Sequence, residues 1–225
     1  MKCLYHGMGL AAAFCLLFAV LITSVEAVVY WNTGYCEKQY RKYHVLEQVH
    51  MEMGDLVYVT EEMMAYLKGE REDLQILTVV DGKERPFFNE KEMRHMVDVQ
   101  GLFLGAIGLR RTAIVFTAFF AGFLLYRKQI AVLWRMLQWG IGLLLGGMAG
   151  LAAFISANFT KYFTCFHLLF FDNEDWILNP ETDLLINIVP EGFFRDTAFG
   201  IAGVFLTAAA VLWLAAAFLY QKAKK

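Results

Sequence analysis

The sequence predicts a mainly α-helical membrane protein: a four-transmembrane-helix bundle carrying a small α/β extracytoplasmic domain with a β-hairpin in it. Three observations lead there. Hydrophobic residues make up 58% of the chain and charged residues 19%, at a mean hydropathy of +0.46, whereas a soluble domain runs at roughly 45–50% and about 25%. Four stretches are apolar enough to cross about 30 Å of hydrocarbon. Two polar stretches between them collect every acidic residue except Glu26. The composition also excludes other classes. Many aromatics and little charge do not make a disordered chain, and a net charge of −2 lacks the basic stripe that nucleic acid requires.

The first apolar stretch runs from Gly9 to Trp31. Lys2 and Val25-Glu26-Ala27 loosely fit a secretory signal and its cleavage site. The run continues through Val28, Val29 and Tyr30, so an uncleaved anchor over 1–31 is the preferred reading. Residues 32–101 then hold a fold of their own. Tyr35 to Val49 reads as a mixed-charge helix, and Asp55–Thr60 alternates like a short strand. Thr60-Glu61-Glu62 looks like a helix cap with an acidic first turn, for a helix ending near Gly69. Leu74–Val80 and Lys83–Phe88 flank Asp81-Gly82, the pair favoured in a type I′ hairpin turn. Asn89 with Glu92 three residues on marks the start of a helix at Glu90, which carries Arg94, His95 and Asp98.

The second span is short. Thr112–Tyr126 makes only about 22 Å of helix, so Leu102–Leu109 is taken as an amphipathic approach at the outer interface, with Arg110 and Arg111 reaching for lipid headgroups. A loop and interfacial lead-in over 127–140 precede the third span, Ile141–Phe159. A second outer segment over 160–198 follows, then the fourth span, Phe199–Tyr220, and a tail over 221–225. Tyr30, Trp31, Tyr126, Trp134, Trp139, Tyr162 and Tyr220 lie near span ends, where amphipathic rings favour the interface. Lys2, Arg127, Lys128, Arg135, Lys222, Lys224 and Lys225 fall on one side of a four-span chain. That side is expected to be cytoplasmic, with both termini on it.

Candidate chemistry gathers on the other side. His6, His44 and His50 read as surface or interfacial residues. His95 and His167 each adjoin a span among apolar neighbours. On a helix His95 and Asp98 stand at i, i+3, so the carboxylate can orient the imidazole. Arg94 and Asp98 at i, i+4 can equally form an ordinary surface ion pair. His167 precedes Asp172, Asp175 and Trp176, within a Phe-rich stretch expected on the bilayer surface or against the larger outer segment. Two histidines with a carboxylate are also a set that binds Zn or Fe. A metal-dependent hydrolase of outer-leaflet lipids is therefore one reading, and a non-enzymatic membrane module with a protein partner is another. No metal and no cofactor is the expectation, since GxSxG, HExxH, P-loop and GxGxxG motifs are missing from the sequence. Cys36 and Cys165 both fall outside, either bridged or as free thiols. The glycines of Gly140–Gly150 suit close helix packing better than phosphate binding.

One ordered set of motifs carries a resemblance. It runs Arg94-His95-Met96-Val97-Asp98-Val99 after an acidic helix start, then Phe166-His167-Leu168-Leu169-Phe170-Phe171, Asp175-Trp176, Asp183, and Pro190-Glu191-Gly192-Phe193-Phe194. In motif order, span number and loop order the chain resembles the bacterial lipoprotein intramolecular transacylase family, four-span proteins of the cytoplasmic membrane. The resemblance implies an intramolecular acyltransferase acting at the outer face on a diacylglyceryl-modified lipoprotein. The sn-2 acyl chain would move to the α-amino group of the N-terminal Cys and leave an N-acyl lyso-form lipoprotein. His95 and His167 match the family's two essential histidines. Arg94, Asp98, Asp172, Asp175 and Trp176 are expected to support or orient them.

Overall fold

The computed structural model describes residues 2–224, except for the side chains at 148, 149 and 151–157. Its helices are α1 (Lys2–Val29), α2 (Tyr35–Lys42), α3 (Val45–Val49), α4 (Met53–Leu67), α5 (Glu90–Tyr126), α6 (Ile130–Ala157), α7 (Phe159–Phe170), α8 (Leu184–Ile188) and α9 (Glu191–Ala223). Strands β1 (Leu77–Val80) and β2 (Lys83–Pro86) lie between α4 and α5. Four helices, α1, α5, α6 and α9, are long and apolar enough to cross a membrane, as predicted. The chain divides into two compact units.

The membrane unit takes the N-terminal stretch to Ala27, Ile107–Ala157 and the chain from Gly200 on. Small residues let its helices approach closely. A Cβ added at Gly140 would meet that of Ala13 at 2.5 Å, and one at Gly9 would meet Met136 Cβ at 2.7 Å. Backbone contact of this kind drives association where lipid removes the hydrophobic difference between inside and outside. Leu17, Ile141, Phe205 and Ala209 fill one buried cluster, and Ala13, Leu124, Leu133, Leu137 and Ala216 another. Thr23, Ser24, Thr117 and Thr207 each donate a hydroxyl to the carbonyl four residues back, so none of these four faces hydrocarbon unpaired.

The outer unit takes Val28–Ala106 and Asn158–Phe199. Its core joins Tyr40, Val45, Val49, Leu56, Val59, Ile76, Val80 and Ile188, all nearly or fully buried. The β-hairpin forms as predicted, with Val80 opposite Lys83 and both turn residues left-handed, Asp81 at φ 54° and Gly82 at φ 69°. The Asn89–Glu92 capping box is also present: Asn89 N donates to Glu92 Oε2 at 2.7 Å, and Glu92 N to Asn89 Oδ1 at 2.9 Å. Gly69, at φ 75°, ends α4.

Five expectations need correction. The helix expected over Tyr35–Val49 breaks at His44, φ 52°. Tyr40 and Val45 stand about 140° apart on an unbroken helix, and only the break lets both reach the core. The strand expected over Asp55–Thr60 lies inside α4, because Leu56, Val59, Thr60 and Met63 are buried at i, i+3, i+4, i+7. Thr60 is no cap: its hydroxyl donates to Leu56 O at 2.8 Å and meets the Tyr40 hydroxyl at 2.6 Å. The separate approach over Leu102–Leu109 belongs to one continuous α5, for no proline interrupts it. The lead-in from Ile130 likewise runs straight into α6, leaving a loop of only 127–129.

Candidate active site

Two helices of the outer unit bring the histidines together. The capping box starts α5, and five residues on it presents His95. Glu92 is nearly fully buried and also accepts Leu185 N at 2.6 Å, which ties α5 to the start of α8. Beside it, Asp183 accepts from Asn89 Nδ2 at 2.9 Å and Asn179 N at 2.7 Å. These hydrogen bonds outweigh burial and hold the Asp183 carboxyl below its usual range, whereas burial pushes that of Glu92 up. On the other side, α7 starts at an Asn158 cap, whose Oδ1 accepts from Lys161 N at 3.1 Å. It presents His167 as its buried residue.

The ring centroids of His95 and His167 lie 6.1 Å apart, tilted by 32°. Aromatic rings wall the pair. Phe171 stands edge-on to His95 at 5.1 Å, Phe163 sits 4.3 Å from His167, and the Trp176 ring lies over His167 at 4.9 Å and 31°. His167 Nδ1 is 2.7 Å from Phe163 O. A carbonyl only accepts, so Nδ1 carries the hydrogen and Nε2 is left as the lone-pair nitrogen. Among the described residues, His95 Nδ1 is buried with no hydrogen-bond partner. Both imidazoles are shifted toward the neutral form. Burial, then the neighbouring His167, lowers His95 to about 4 against the opposing pull of Asp98 and Asp175. Burial also lowers His167, with the Phe163 carbonyl acting the other way.

A polar strap lies along α5. Arg94 makes a bidentate pair with Asp175, Nε to Oδ2 at 2.9 Å and Nη2 to Oδ1 at 3.0 Å. This pairing holds the Asp175 carboxyl below the usual carboxylate range. One turn on, Asp98 Oδ2 accepts from Asn173 Nδ2 at 2.8 Å. One turn back, Lys91 donates to Ile177 O. Lys91, Arg94 and Asp98 thus hold the segment that carries Trp176 over His167.

The residues singled out in the sequence sort as follows. His95, His167, Trp176, Arg94, Asp175 and Asp98 converge. Asp98 makes its hydrogen bond to Asn173 rather than to His95, so it reaches the imidazole through its field and through the strap. Arg94 pairs with Asp175 rather than with Asp98. Asp172 is exposed. Arg110 pairs with Glu26 inside the membrane unit, both side chains mostly buried, instead of reaching outward, and Arg111 stays exposed. Cys36 and Cys165 are free thiols. Among the described residues, no three His, Cys, Asp or Glu side chains are grouped to hold a metal ion. Phe163 and Asn173 went unnoticed in the sequence, and Phe171 stood out only as part of a motif. A backbone acceptor four residues before a helical His was the available signal for Phe163.

A comparison with curated protein sequences finds no match. The structure is similar to the membrane-integral lipoprotein intramolecular transacylase Lit from Bacillus cereus, with a TM-score of 0.82 and 20% identity over 100% of this chain and 99% of that one. Two histidine variants of the same Bacillus cereus protein, to alanine and to arginine, match with a TM-score of 0.77 and 19% identity. The first pairs 99% of this chain with 96% of that one, and the second 99% with 95%. At these identities the likeness establishes the fold: a multi-pass membrane protein with a small two-stranded sheet. The family described as "Lipoprotein intramolecular transacylase Lit" matches residues 10–194, and the chain, an enzyme, belongs to that family.

Proposed function

We propose that the histidine pair of this transacylase moves the sn-2 acyl chain of a diacylglyceryl lipoprotein to the α-amino group of its N-terminal Cys. The observation that carries this reading is two buried imidazoles, 6.1 Å apart between ring centroids and walled by aromatic rings. Nucleophile and electrophile belong to one substrate molecule, so much of the entropic barrier is removed before the enzyme acts. The amine nitrogen attacks the ester carbonyl, and an N–C bond forms. Its proton passes to an imidazole lone pair, the C–O bond to the sn-2 oxygen breaks, and that oxygen takes up a proton. Two acyl chains enter and two leave, so no second lipid is consumed.

His167 suits the base, since the Phe163 carbonyl leaves its Nε2 unprotonated. A neutral His95 suits donation of an N–H to the developing oxyanion, since burial keeps it from becoming a cation. Arg94, Asp98, Asp175 and Trp176 are positioning residues in this scheme, and bilayer lipid is the medium of the reaction. The orientation with outer unit and histidines outside and both termini cytoplasmic is supported by four spans and by the basic residues at the chain ends and at 127–135.

Mass spectrometry of lipoprotein N-termini, from cells with and without the protein, tests the reaction. The N-acyl lyso form appears only with the protein. His95→Ala and His167→Ala each reduce it by about 10²–10⁴-fold while the protein still inserts. A product with three chains, or a labelled chain arriving from phospholipid, rules the intramolecular route out.

A further inference from the structure

α7 presents two unlike faces. One is turned inward by His167 and by Phe163, whose ring meets Phe194 at 5.2 Å. The other is bare. Cys165, Phe166, Leu168, Leu169 and Phe170 are exposed, Leu169 by 77% and Leu168 by 66%. Apolar side chains left side by side in water are costly and mark a surface made to be covered. Between Tyr162 and Phe170 there is no Asp, Glu, Lys or Arg, so the face lacks the polar rim of a protein–protein interface. Lys161 lies on the same face, four residues before Cys165.

Chain continuity names the cover. α7 begins at Phe159, and only Asn158 separates it from α6. α6 is one of the four helices long and apolar enough to span a membrane, so the start of α7 is tied to the end of a span. We infer that α7 is an interfacial helix whose bare face is sunk among the acyl chains of the bilayer, with Lys161 extending its stem to the headgroups. The cover is bilayer lipid, since the chain enters α7 one residue after a span, its bare face carries no charge between Tyr162 and Phe170, and a lysine at its edge is what an anionic leaflet attracts. This places His167 on the inward side of a lipid-bathed helix. In the proposed reaction, the ester then meets the histidines without leaving the leaflet. The location of α7 itself does not depend on that chemistry.

The native Cys165 thiol serves as the probe. In full-length protein carrying Cys3→Ser and Cys15→Ser, Cys165 is labelled with a polarity-sensitive fluorophore. The protein is then reconstituted sparsely in phosphatidylglycerol–phosphatidylethanolamine vesicles. Cys36 can stay, because burial and Glu61 push its thiol pKa up and slow its labelling; a Cys165→Ser sample sets the background. The expected result is blue-shifted emission, strong quenching by nitroxide-bearing lipid and loss of quenching by aqueous iodide. The same label at Lys83→Cys in a Cys165→Ser chain gives the reverse. Adding Leu168→Glu and Leu169→Glu removes the lipid quenching. Iodide quenching at Cys165 as strong as at position 83 overturns the inference. So does shielding from both quenchers, which means that protein covers the face. A cross-link between Cys165 thiols of two chains, showing a second copy there, overturns it as well.

Discussion

Lowering the pH separates a histidine held neutral from an ordinary one. Burial, then His167, holds His95 near about 4. In the proposed reaction, transfer requires a free α-amino group, with an unperturbed pKa of about 7.7–8.0, and neutral imidazoles. The amine alone costs about tenfold in rate per pH unit below its pKa. A His95 titrating at its usual value of about 6.5 would add a second tenfold per unit below pH 6.5. Between pH 6.5 and 5, rates fall about 30-fold in the first case and about 500-fold in the second. Single-turnover conversion of a diacylglyceryl lipopeptide in liposomes, followed by mass spectrometry, reads this directly. A logarithmic slope near two in that window would show that one of the two imidazoles charges there, and would refute the argument that burial keeps both uncharged. Folding stability gives a second readout. Above pH 6.5 neither state protonates His95, and its effect is nil. As pH falls from 6.5 to 4, the unfolded chain binds a proton that the folded one refuses, so stability drops, by about 3 kcal/mol in full. His95→Gln removes that part of the acid sensitivity.

Further outcomes follow from other contacts. Gly192→Ala places a Cβ 2.4 Å from Tyr43 Cε1, in a ring whose hydroxyl is tied to Asp196 at 3.0 Å. The expected cost is about 1–3 kcal/mol, read as a lower Tm in detergent and relieved by adding Tyr43→Ala; an unchanged Tm with Tyr43 present contradicts it. Arg110→Ala strands the mostly buried Glu26 and is expected to cost about 3–5 kcal/mol. The double change with Glu26→Gln is milder, and equal losses in single and double variants would deny the coupling. A cysteine at Lys83 labels with an impermeant reagent in whole cells; labelling only after permeabilisation reverses the orientation.

What could be read from the sequence was what local chemistry controls. The hairpin turn needs left-handed backbone at Asp81 and Gly82, and few residue pairs supply that. The capping box needs only Asn89 and Glu92. Apolar length alone marks the spans. The helix break at His44 was not legible, because it serves two residues whose shared core is assembled from distant segments. Asp55–Thr60 misled because Val57 and Val59 favour strands locally, while the burial of Leu56, Val59, Thr60 and Met63 favours a helix only once that core exists. At the site, both histidines stood out, but their partners did not. Asn173 and Asp175 reach α5 across more than 70 residues of chain, and no local pattern encodes which carboxylate Arg94 chooses.

The carbonyl that fixes His167 has a consequence for how this site can drift. In a catalytic triad the group orienting the imidazole is a side chain, and one codon change can delete it. Here the acceptor is Phe163 O, and every amino acid brings a carbonyl. Mutation at 163 can strip away the ring that packs on His167, but it leaves the proton on Nδ1 where it was. The protonation pattern of this histidine is therefore inherited with the helix rather than with any residue. A lineage is free to reshape the aromatic wall without disturbing the lone pair on His167 Nε2.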